Sequence, residues 1–474
     1  MDTAFLIVAL IYASAFWALS WRTPALALAL IFATAPLQTD LSGGGGGARF
    51  SFAEINLVLT LPLFIALLLV GARRLRPWPF LWTSALYVLA CVASSFVQWR
   101  PTSAPSSYLQ MALFLFVIVP IFALFGRRPD DLKPALWGLL FVSALLSFVK
   151  ILHPSVEAFG LNKNGMGGSL ACALIVAAEL WAYYQPRATF HKRLLIPLMG
   201  LISLGLLLTL SRGGWLAAIS GLVLVASLRR QFVLLGRVAV VAIPLVTLAW
   251  GFLPQESRSY ATSFSSQRGN IKQRYINTDA TLKQWQTNIW FGAGTGLRKD
   301  LDATNLVVMA LGETGIVGLV TFLAIFVSYF AALWHARSRL PTDDFAFSLL
   351  CIGGGLMLSR LTQGMVDHYW ARGPTMMAWA AAGMATGALW GRPEAATQTL
   401  TRARALLSLH LIEAVRRKEG ANTPLPRLSR VELEAAHSAL AQVKTQLQTA
   451  SPSQAGQTRE ELRQLLDRLR EEGN

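Results

Sequence analysis

Two arginines in polar stretches between apolar segments are the first candidates for chemistry. Arg212 follows Ser211 and precedes two glycines, which let a backbone or a ligand approach closely. Arg274 lies in a long polar loop, residues 254–303, which carries seven Arg or Lys residues against four Asp or Glu residues. A guanidinium group binds phosphate oxygens in a bidentate manner and stays charged at any relevant pH. Two of them around one diphosphate would make an effective clamp, whereas the alternative for Arg212 is an interfacial arginine that reaches the lipid headgroups.

A third candidate is His368, which directly follows Asp367 in a short polar connection near the end of the apolar part of the chain. A histidine beside an aspartate can act as a general base on a hydroxyl group. A histidine among aromatic residues near a membrane surface is also commonly structural, so both interpretations stay open. Arg372 follows in the same connection and is a further candidate for binding substrate.

Metal and redox chemistry find little support in the sequence. Asp300 and Asp302 have the spacing of metal-binding carboxylates in many glycosyltransferases, but Lys299 adjoins them and no histidine is near. Each of the three cysteines falls inside an apolar run, without the Cys-x-x-Cys spacing of metal or redox sites. They are Cys91, Cys172 and Cys351. We therefore predict neither a metal nor a cofactor.

Thirteen apolar runs must position the candidate residues. Runs of about 17 to 25 apolar residues can cross a hydrocarbon core of about 30 Å as helices. Backbone polar groups in lipid must be satisfied within the segment, so runs this rich in Leu, Ala and Val predict an all-α helical bundle. Hydrophobic residues make up 54% of the chain, which agrees with that class. The runs are 3–20, 24–38, 53–71, 79–96, 108–125, 134–152, 166–184, 194–210, 215–228, 238–253, 305–334, 345–361 and 376–390.

These runs predict about twelve transmembrane helices, and a thirteenth stays open. The stretch 24–38 is short and contains Pro24 and Pro36, which makes it the uncertain one. The stretch Met1–Leu19 lacks a basic start and a small-residue cleavage site, so we interpret it as a retained span and not as a signal peptide.

The distribution of Lys and Arg predicts which side of the membrane each connection faces. Short connections rich in these residues stay preferentially in the cytoplasm, and here they alternate with connections that carry about one each. This places the loop 254–303 outside and the chain after residue 390 inside. Most of the net charge of +17 then belongs to cytoplasmic connections, so it does not indicate a nucleic-acid-binding protein. The basic connections contain Arg73, Arg74, Arg76, Arg127, Arg128, Lys133, Arg187, Lys192, Arg193, Arg229, Arg230, Arg237, Arg337 and Arg339.

Two domains follow from the change in composition near residue 390. Residues 1–390 form the predicted transmembrane bundle, and helices of the outer loop 254–303 are expected to lie across it as a lid, with Trp285 and Trp290 at the interface. Residues 391–474 are charged and poor in aromatic residues, with leucines at three- and four-residue spacing. They predict a cytoplasmic helical tail with a role in docking or assembly.

Four short stretches, in this order along the chain, resemble the O-antigen ligases and the related O-antigen polymerases and protein O-oligosaccharyltransferases. The similarity covers roughly residues 160–320, and each stretch is weak by itself. The stretches are Leu161-Asn162-Lys163-Asn164-Gly165, then Ser211-Arg212-Gly213-Gly214-Trp215, then Arg274 with Phe291-Gly292-Ala293-Gly294, and then Asn305 with Glu313-Thr314-Gly315-Ile316-Val317-Gly318.

The resemblance implies transfer of a glycan from undecaprenyl diphosphate to a sugar hydroxyl of lipid A-core, outside the bacterial inner membrane. It also implies an inverting, metal-independent reaction on a fold similar to other lipid-sugar-dependent glycosyltransferases of the GT-C type. In the family, the arginines that match Arg212 and Arg274 are implicated in holding the diphosphate, and we add His368 as a candidate base. Candidate substrate-binding residues are Asn162, Asn164, Ser211, Lys272, Arg298, Asn305 and Arg372.

One position departs from the family pattern. The family has a histidine immediately before the asparagine that matches Asn305, and this chain has Thr304 there. Either His368 supplies the base, or positioning and stabilisation of the leaving group carry the reaction. The alternatives within the family differ only in acceptor, and a lipid flippase or transporter is the alternative from another class. A transporter would favour broken helices or charges deep within spans and internal repeats.

Overall fold

The computed structural model describes residues 3–37, 51–69, 75–98, 103–153, 161–186, 190–252, 255, 258–259, 269–367 and 375–390. These residues belong to one unit, Met1–Trp390, and all their regular secondary structure is helical. The predicted tail 391–474 and the candidates His368 and Arg372 lie outside the described residues.

Every predicted apolar run coincides with a helix. The helices are α1 (Thr3–Arg22), α2 (Pro24–Thr34), α3 (Phe52–Leu69), α4 (Leu81–Ser95), α5 (Ser103–Leu113), α6 (Val119–Gly126), α7 (Lys133–Leu152), α8 (Lys163–Tyr184), α9 (Phe190–Leu208), α10 (Arg212–Arg229), α11 (Val233–Phe252), α12 (Gly269–Gln286), α13 (Leu306–Arg337), α14 (Phe345–Val366) and α15 (375–390). A π-helical turn, Phe114–Ile118, joins α5 to α6, and α12 lies in the long polar loop.

Seven helical segments of the described chain are long and apolar enough to cross a membrane. They make this part of the chain an all-helical bundle of the membrane-protein type, and the count of about twelve spans stays a prediction. The segments are Phe52–Leu69, Ser103–Gly126, Pro129–Leu152, Lys163–Tyr184, Phe190–Leu208, Leu306–Arg337 and Phe345–Val366.

Helices α8, α10 and α14 form the centre of the bundle. In α8, 94% of the apolar stretch is buried, and in α14 the share is 83%. Helix α10 packs against both. Small residues let these backbones come close, as is common between helices in membranes. A Cβ atom on Gly214 of α10 would lie 2.9 Å from the carbonyl carbon of Gly167 in α8, so the two helices touch here through their backbones.

Helix α13 is broken at Gly315, whose φ of 63° and ψ of −163° are not helical. The N–H groups after the break bond outside the helix: Ile316 donates to the carbonyl of Ile289 at 3.0 Å, and Val317 donates to that of Trp290 at 3.2 Å. A Cβ atom at position 315 would lie 2.3 Å from the Trp290 carbonyl oxygen, so only glycine fits. The turn that follows α12 therefore wedges into α13 and fixes its first half.

Helix α12 packs on that first half through one face, and this orients its polar residues. Asn277 Nδ2 donates to the carbonyl of Asp302 at 2.7 Å, and Thr278 Oγ1 donates to that of Ala303 at 3.3 Å. Thr281, one turn further on, is fully buried. Arg274 shares this face because residues three and four apart on a helix are neighbours.

Candidate functional site

Three helices begin side by side at the end of the bundle that is predicted to be periplasmic, and each begins with a side-chain cap. Asn162 caps α8, Ser211 caps α10 and Asn305 caps α13, and each side-chain oxygen accepts backbone N–H groups at 2.9–3.2 Å. Asn and Ser are preferred at this position because they satisfy donors that the helix leaves unpaired. Three predicted substrate-binding residues therefore have a local structural role.

The three helix starts surround the last turn of α14. Gln363 Nε2 of α14 donates to the carbonyl of Asn164 at 2.7 Å, which joins α14 to α8. Asn305 Nδ2 donates to the carbonyl of Met365 at 2.9 Å, which joins α13 to α14. On α10, a Cβ atom at Gly213 would lie 3.0 Å from the Val366 side chain. Helix N-termini carry partial positive charge and a helix C-terminus carries partial negative charge, so three N-termini around the one C-terminus of α14 leave a balance that favours an anion.

Arg274 reaches this junction from α12. Its Nη1 donates to the carbonyl of Val366, and its Nη2 lies 3.7 Å from Oδ1 of Asp367. The Arg274 side chain is 40% exposed and that of Asp367 is 12% exposed. The predicted diphosphate-binding arginine is thus held at the end of α14 while its guanidinium stays accessible to a ligand.

Two carboxylates moderate the positive charge here. Asp302 Oδ1 accepts the backbone N–H of Thr304 at 2.8 Å, and this supports the left-handed backbone of Thr304, whose φ is 53°. Burial raises the pKa of Asp302, and the Thr304 N–H and two arginines oppose that shift. Burial also raises the pKa of Asp367; Arg274 opposes this shift and the charge of Asp302 adds to it.

Arg360 is a site residue that sequence reasoning missed. It lies in α14 two turns before Asp367, is only 1% exposed, and donates from Nη1 to the Oε1 atom of Gln363. Together with Arg274 and Lys163 it acts electrostatically on Asp367. A charge inside a membrane helix is expensive and is a functional signal by default. The sequence carried that signal, an arginine near the end of an apolar run and seven residues before Asp367.

The remaining predicted residues divide between the junction and its surroundings. Arg212 is the first residue of α10 and is half-buried, at the helix start that faces α14. Lys272 is exposed, two residues before Arg274 and off the packed face of α12. Arg298 lies near α5, where its Nη2 donates to Gln110 Oε1 at 3.3 Å. Among the described residues, no three His, Cys, Asp or Glu side chains group as metal ligands.

The arrangement therefore brings basic side chains and three helix N-termini to one end of an all-helical bundle. Such a site can hold an anionic group and stabilise negative charge that develops on it. These features define the class as a helical bundle of the membrane-protein type with a cationic site. Neither the family models nor the curated proteins that were compared match this sequence.

Proposed function

We propose that the chain is an O-antigen ligase, as the resemblance implies. It transfers a glycan from undecaprenyl diphosphate to a sugar hydroxyl of lipid A-core at the periplasmic face of the bacterial inner membrane. The observation that carries the proposal is the convergence of Arg274 and the starts of α8, α10 and α13 on the end of α14. An anionic diphosphate is the ligand that such a junction fits best.

In the proposed reaction, the bond between the anomeric carbon and the diphosphate oxygen breaks as the acceptor hydroxyl attacks from the opposite face, which inverts the anomeric centre. Negative charge grows on the leaving diphosphate. Arg274 exchanges its contacts with Val366 and Asp367 for phosphate oxygens, and Arg212 contributes from the start of α10. Loss of one such donor typically costs about 10²- to 10³-fold in rate. The acceptor proton passes to His368 or, where no side chain acts as a dedicated base, to water.

The decisive experiment incubates the purified chain with undecaprenyl-diphosphate glycan and lipid A-core acceptor in the presence of a chelator. Wild type is compared with Arg212→Ala, Arg274→Ala and His368→Ala. Lys283→Ala is the matched control, because Lys283 is an exposed residue of α12 that pairs with Asp279. The expected result is transfer by wild type and the control, and loss of transfer in both Arg variants. If wild type forms no larger lipopolysaccharide although it binds the donor, ligation to this acceptor is wrong.

Two features favour a transporter of the same lipid-linked glycan as the second candidate. Helix α13 is broken at Gly315, and the central helices bury charged side chains at both ends, such as Arg360 and Glu179. Discontinuous helices and buried charges are common in transporters. Reconstitution into sealed vesicles without acceptor separates the candidates, because only a transporter would move the glycan lipid between leaflets there. A polymerase or protein O-oligosaccharyltransferase would instead show transfer to a glycan or protein acceptor.

A further inference from the structure

A small cavity with a mixed polar and apolar lining lies beside the junction, between α4, α5, the turn before α13 and α13 itself. Its volume is about 50 Å³. Apolar residues such as Phe322 form part of the wall. The polar lining consists of Tyr87, Ser107, Gln110, Thr295, Arg298 and Glu313.

Hydrogen bonds hold the turn that closes this cavity. Glu313 Oε1 accepts the backbone N–H groups of Gly296 and Arg298, both at 3.1 Å. Thr295 Oγ1 donates to the carbonyl of Cys91 at 2.7 Å, which ties the turn to α4. The Arg298 guanidinium donates to Gln110 on α5. The polar groups of the wall are therefore fixed before any ligand arrives, which lowers the cost of binding one.

The cavity is adjacent to the proposed diphosphate site. The first turn of α13 joins the two: Leu306 lines the cavity, and Asn305, directly before it, donates to the carbonyl of Met365. Arg274 contacts the carbonyl of the next residue of α14, Val366. A ligand group in the cavity would thus lie near a diphosphate bound at Arg274. Such a volume holds a few water molecules or a single substituent of a larger ligand.

We propose that this cavity is a sugar subsite, which receives one exocyclic substituent of the sugar next to the reacting bond. Hydroxyl, hydroxymethyl and acetamido groups all both donate and accept hydrogen bonds, and the wall offers donors and acceptors together with the rings of Tyr87 and Phe322. The inference rests on the proposed function, because that function supplies a sugar on each side of the reaction. The substituent belongs either to the first sugar of the donor or to the accepting sugar of lipid A-core.

The test measures equilibrium binding to the full chain in detergent, so that it does not depend on turnover. Three ligands are titrated: undecaprenyl diphosphate alone, the same lipid with its glycan, and lipid A-core. Gln110→Leu removes the amide at nearly constant size, and Tyr87→Phe removes only a hydroxyl group. Ser106→Ala is the matched control, because Ser106 is an exposed residue of α5, the helix that carries Gln110, and lies outside the cavity wall. Thermal unfolding shows that each variant is folded.

The expected result is that the Gln110 and Tyr87 variants weaken one sugar-bearing ligand by about tenfold and leave undecaprenyl diphosphate alone unchanged. Weaker binding of the glycan-bearing lipid would assign the cavity to the first sugar of the donor. Weaker binding of lipid A-core would assign it to the accepting sugar. If both variants stay within about twofold of wild type for all three ligands, the subsite is wrong. Absence of transfer by a wild type that shows the selective binding would overturn the proposed function and leave the subsite supported.

Discussion

The two ends of the central helices differ in how the charge of a buried arginine is balanced by carboxylates. At the end predicted to be cytoplasmic, Arg229 of α10 pairs with Glu179 of α8, and their side chains are 4% and 0% exposed. Arg229 Nε lies 2.7 Å from Glu179 Oε2, and its Nη2 also donates to Ser348 Oγ at 3.0 Å. The charge of Arg229 is therefore balanced, and its N–H donors are bonded, by groups inside the protein.

At the other end, the basic side chains exceed their acidic partners among the described residues. Asp367 is influenced by Arg274, Arg360 and Lys163, and its distance from Arg274 is 3.7 Å. A matched buried pair stabilises a packing arrangement, whereas a cationic excess beside helix N-termini leaves room for an anionic ligand. The balance of charge around a buried arginine, and not its burial, therefore separates scaffold from candidate site.

The largest expected effect comes from breaking the matched pair. Glu179→Ala leaves Arg229 buried without its carboxylate, which typically destabilises a protein by about 3–5 kcal/mol. We expect a much lower unfolding temperature in detergent. The double variant Glu179→Met with Arg229→Met should recover most of the stability, because well-packed apolar residues can replace a buried pair. Equal stability of Glu179→Ala and wild type would show that the pair is not a structural requirement.

Arg274→Ala should mainly lower transfer activity, whereas Glu179→Ala should mainly lower stability. We expect transfer to fall about 10²- to 10³-fold. The unfolding temperature should change little, because the Arg274 side chain is 40% exposed, it lies 3.7 Å from Asp367, and Arg360 and Lys163 still act on that carboxylate. Arg274→Lys should keep part of the activity, since a lysine keeps the charge but loses the bidentate geometry. A loss of the same size in the exposed control Lys283→Ala would show that the effect is not specific to Arg274.

Much of the fold could be predicted, because helix placement depends on local apolar runs. The starts of α8, α10 and α13 fall at Asn162, Ser211 and Asn305, which were singled out from sequence as substrate-binding candidates. Their capping role was not predicted, although these residue types favour it. Whether they also contact substrate stays a prediction.

Long-range features were not predicted. The break at Gly315 depends on carbonyl groups of Ile289 and Trp290, more than twenty residues earlier in the chain. The pairing of Glu179 with Arg229 joins residues 50 positions apart. Neither arrangement follows from local periodicity, because each exists only once helices have packed. Arg360 was missed for a different reason, since its apolar neighbours hid a single charge within a predicted span.

Replacing the buried arginine at each end by methionine should show a difference in stability between the two ends. Arg360 acts on Asp367 together with Arg274 and Lys163, so its removal leaves no lone buried carboxylate of the kind that Arg229→Met leaves at Glu179. We expect near-normal stability for Arg360→Met and strong destabilisation for Arg229→Met. Binding of the diphosphate lipid should weaken about tenfold in Arg360→Met, because charges interact strongly in the poorly hydrated interior. Thermal unfolding and lipid titration of both variants test this, and destabilisation of both alike would contradict it.

The smallest expected effect concerns the carboxylates that limit the positive charge. The pKa values of Asp302 and Asp367 are raised mainly by burial, so the folded protein keeps these protons at pH values where the unfolded chain has lost them. Their contribution to stability is complete below the unfolded pKa and is lost as the pH rises through the raised pKa. Protonation also frees Arg274 from Asp367. Affinity for the glycan-bearing diphosphate lipid should therefore rise a few-fold as the pH falls through these raised pKa values, since both of its phosphates keep one charge throughout.

Asp367→Asn should reproduce part of this gain at neutral pH, because the amide removes the negative charge that competes for Arg274. The remaining pH dependence should then be smaller, and Asp302 accounts for what is left. Asp279→Asn is the matched control, since this exposed carboxylate of α12 pairs with Lys283 at 2.6 Å on the side away from the junction. If Asp367→Asn bound the lipid more weakly than wild type, the carboxylate would be helping to hold the ligand. The charge at this end would then be matched as it is at Arg229, and the contrast between the two ends would fail.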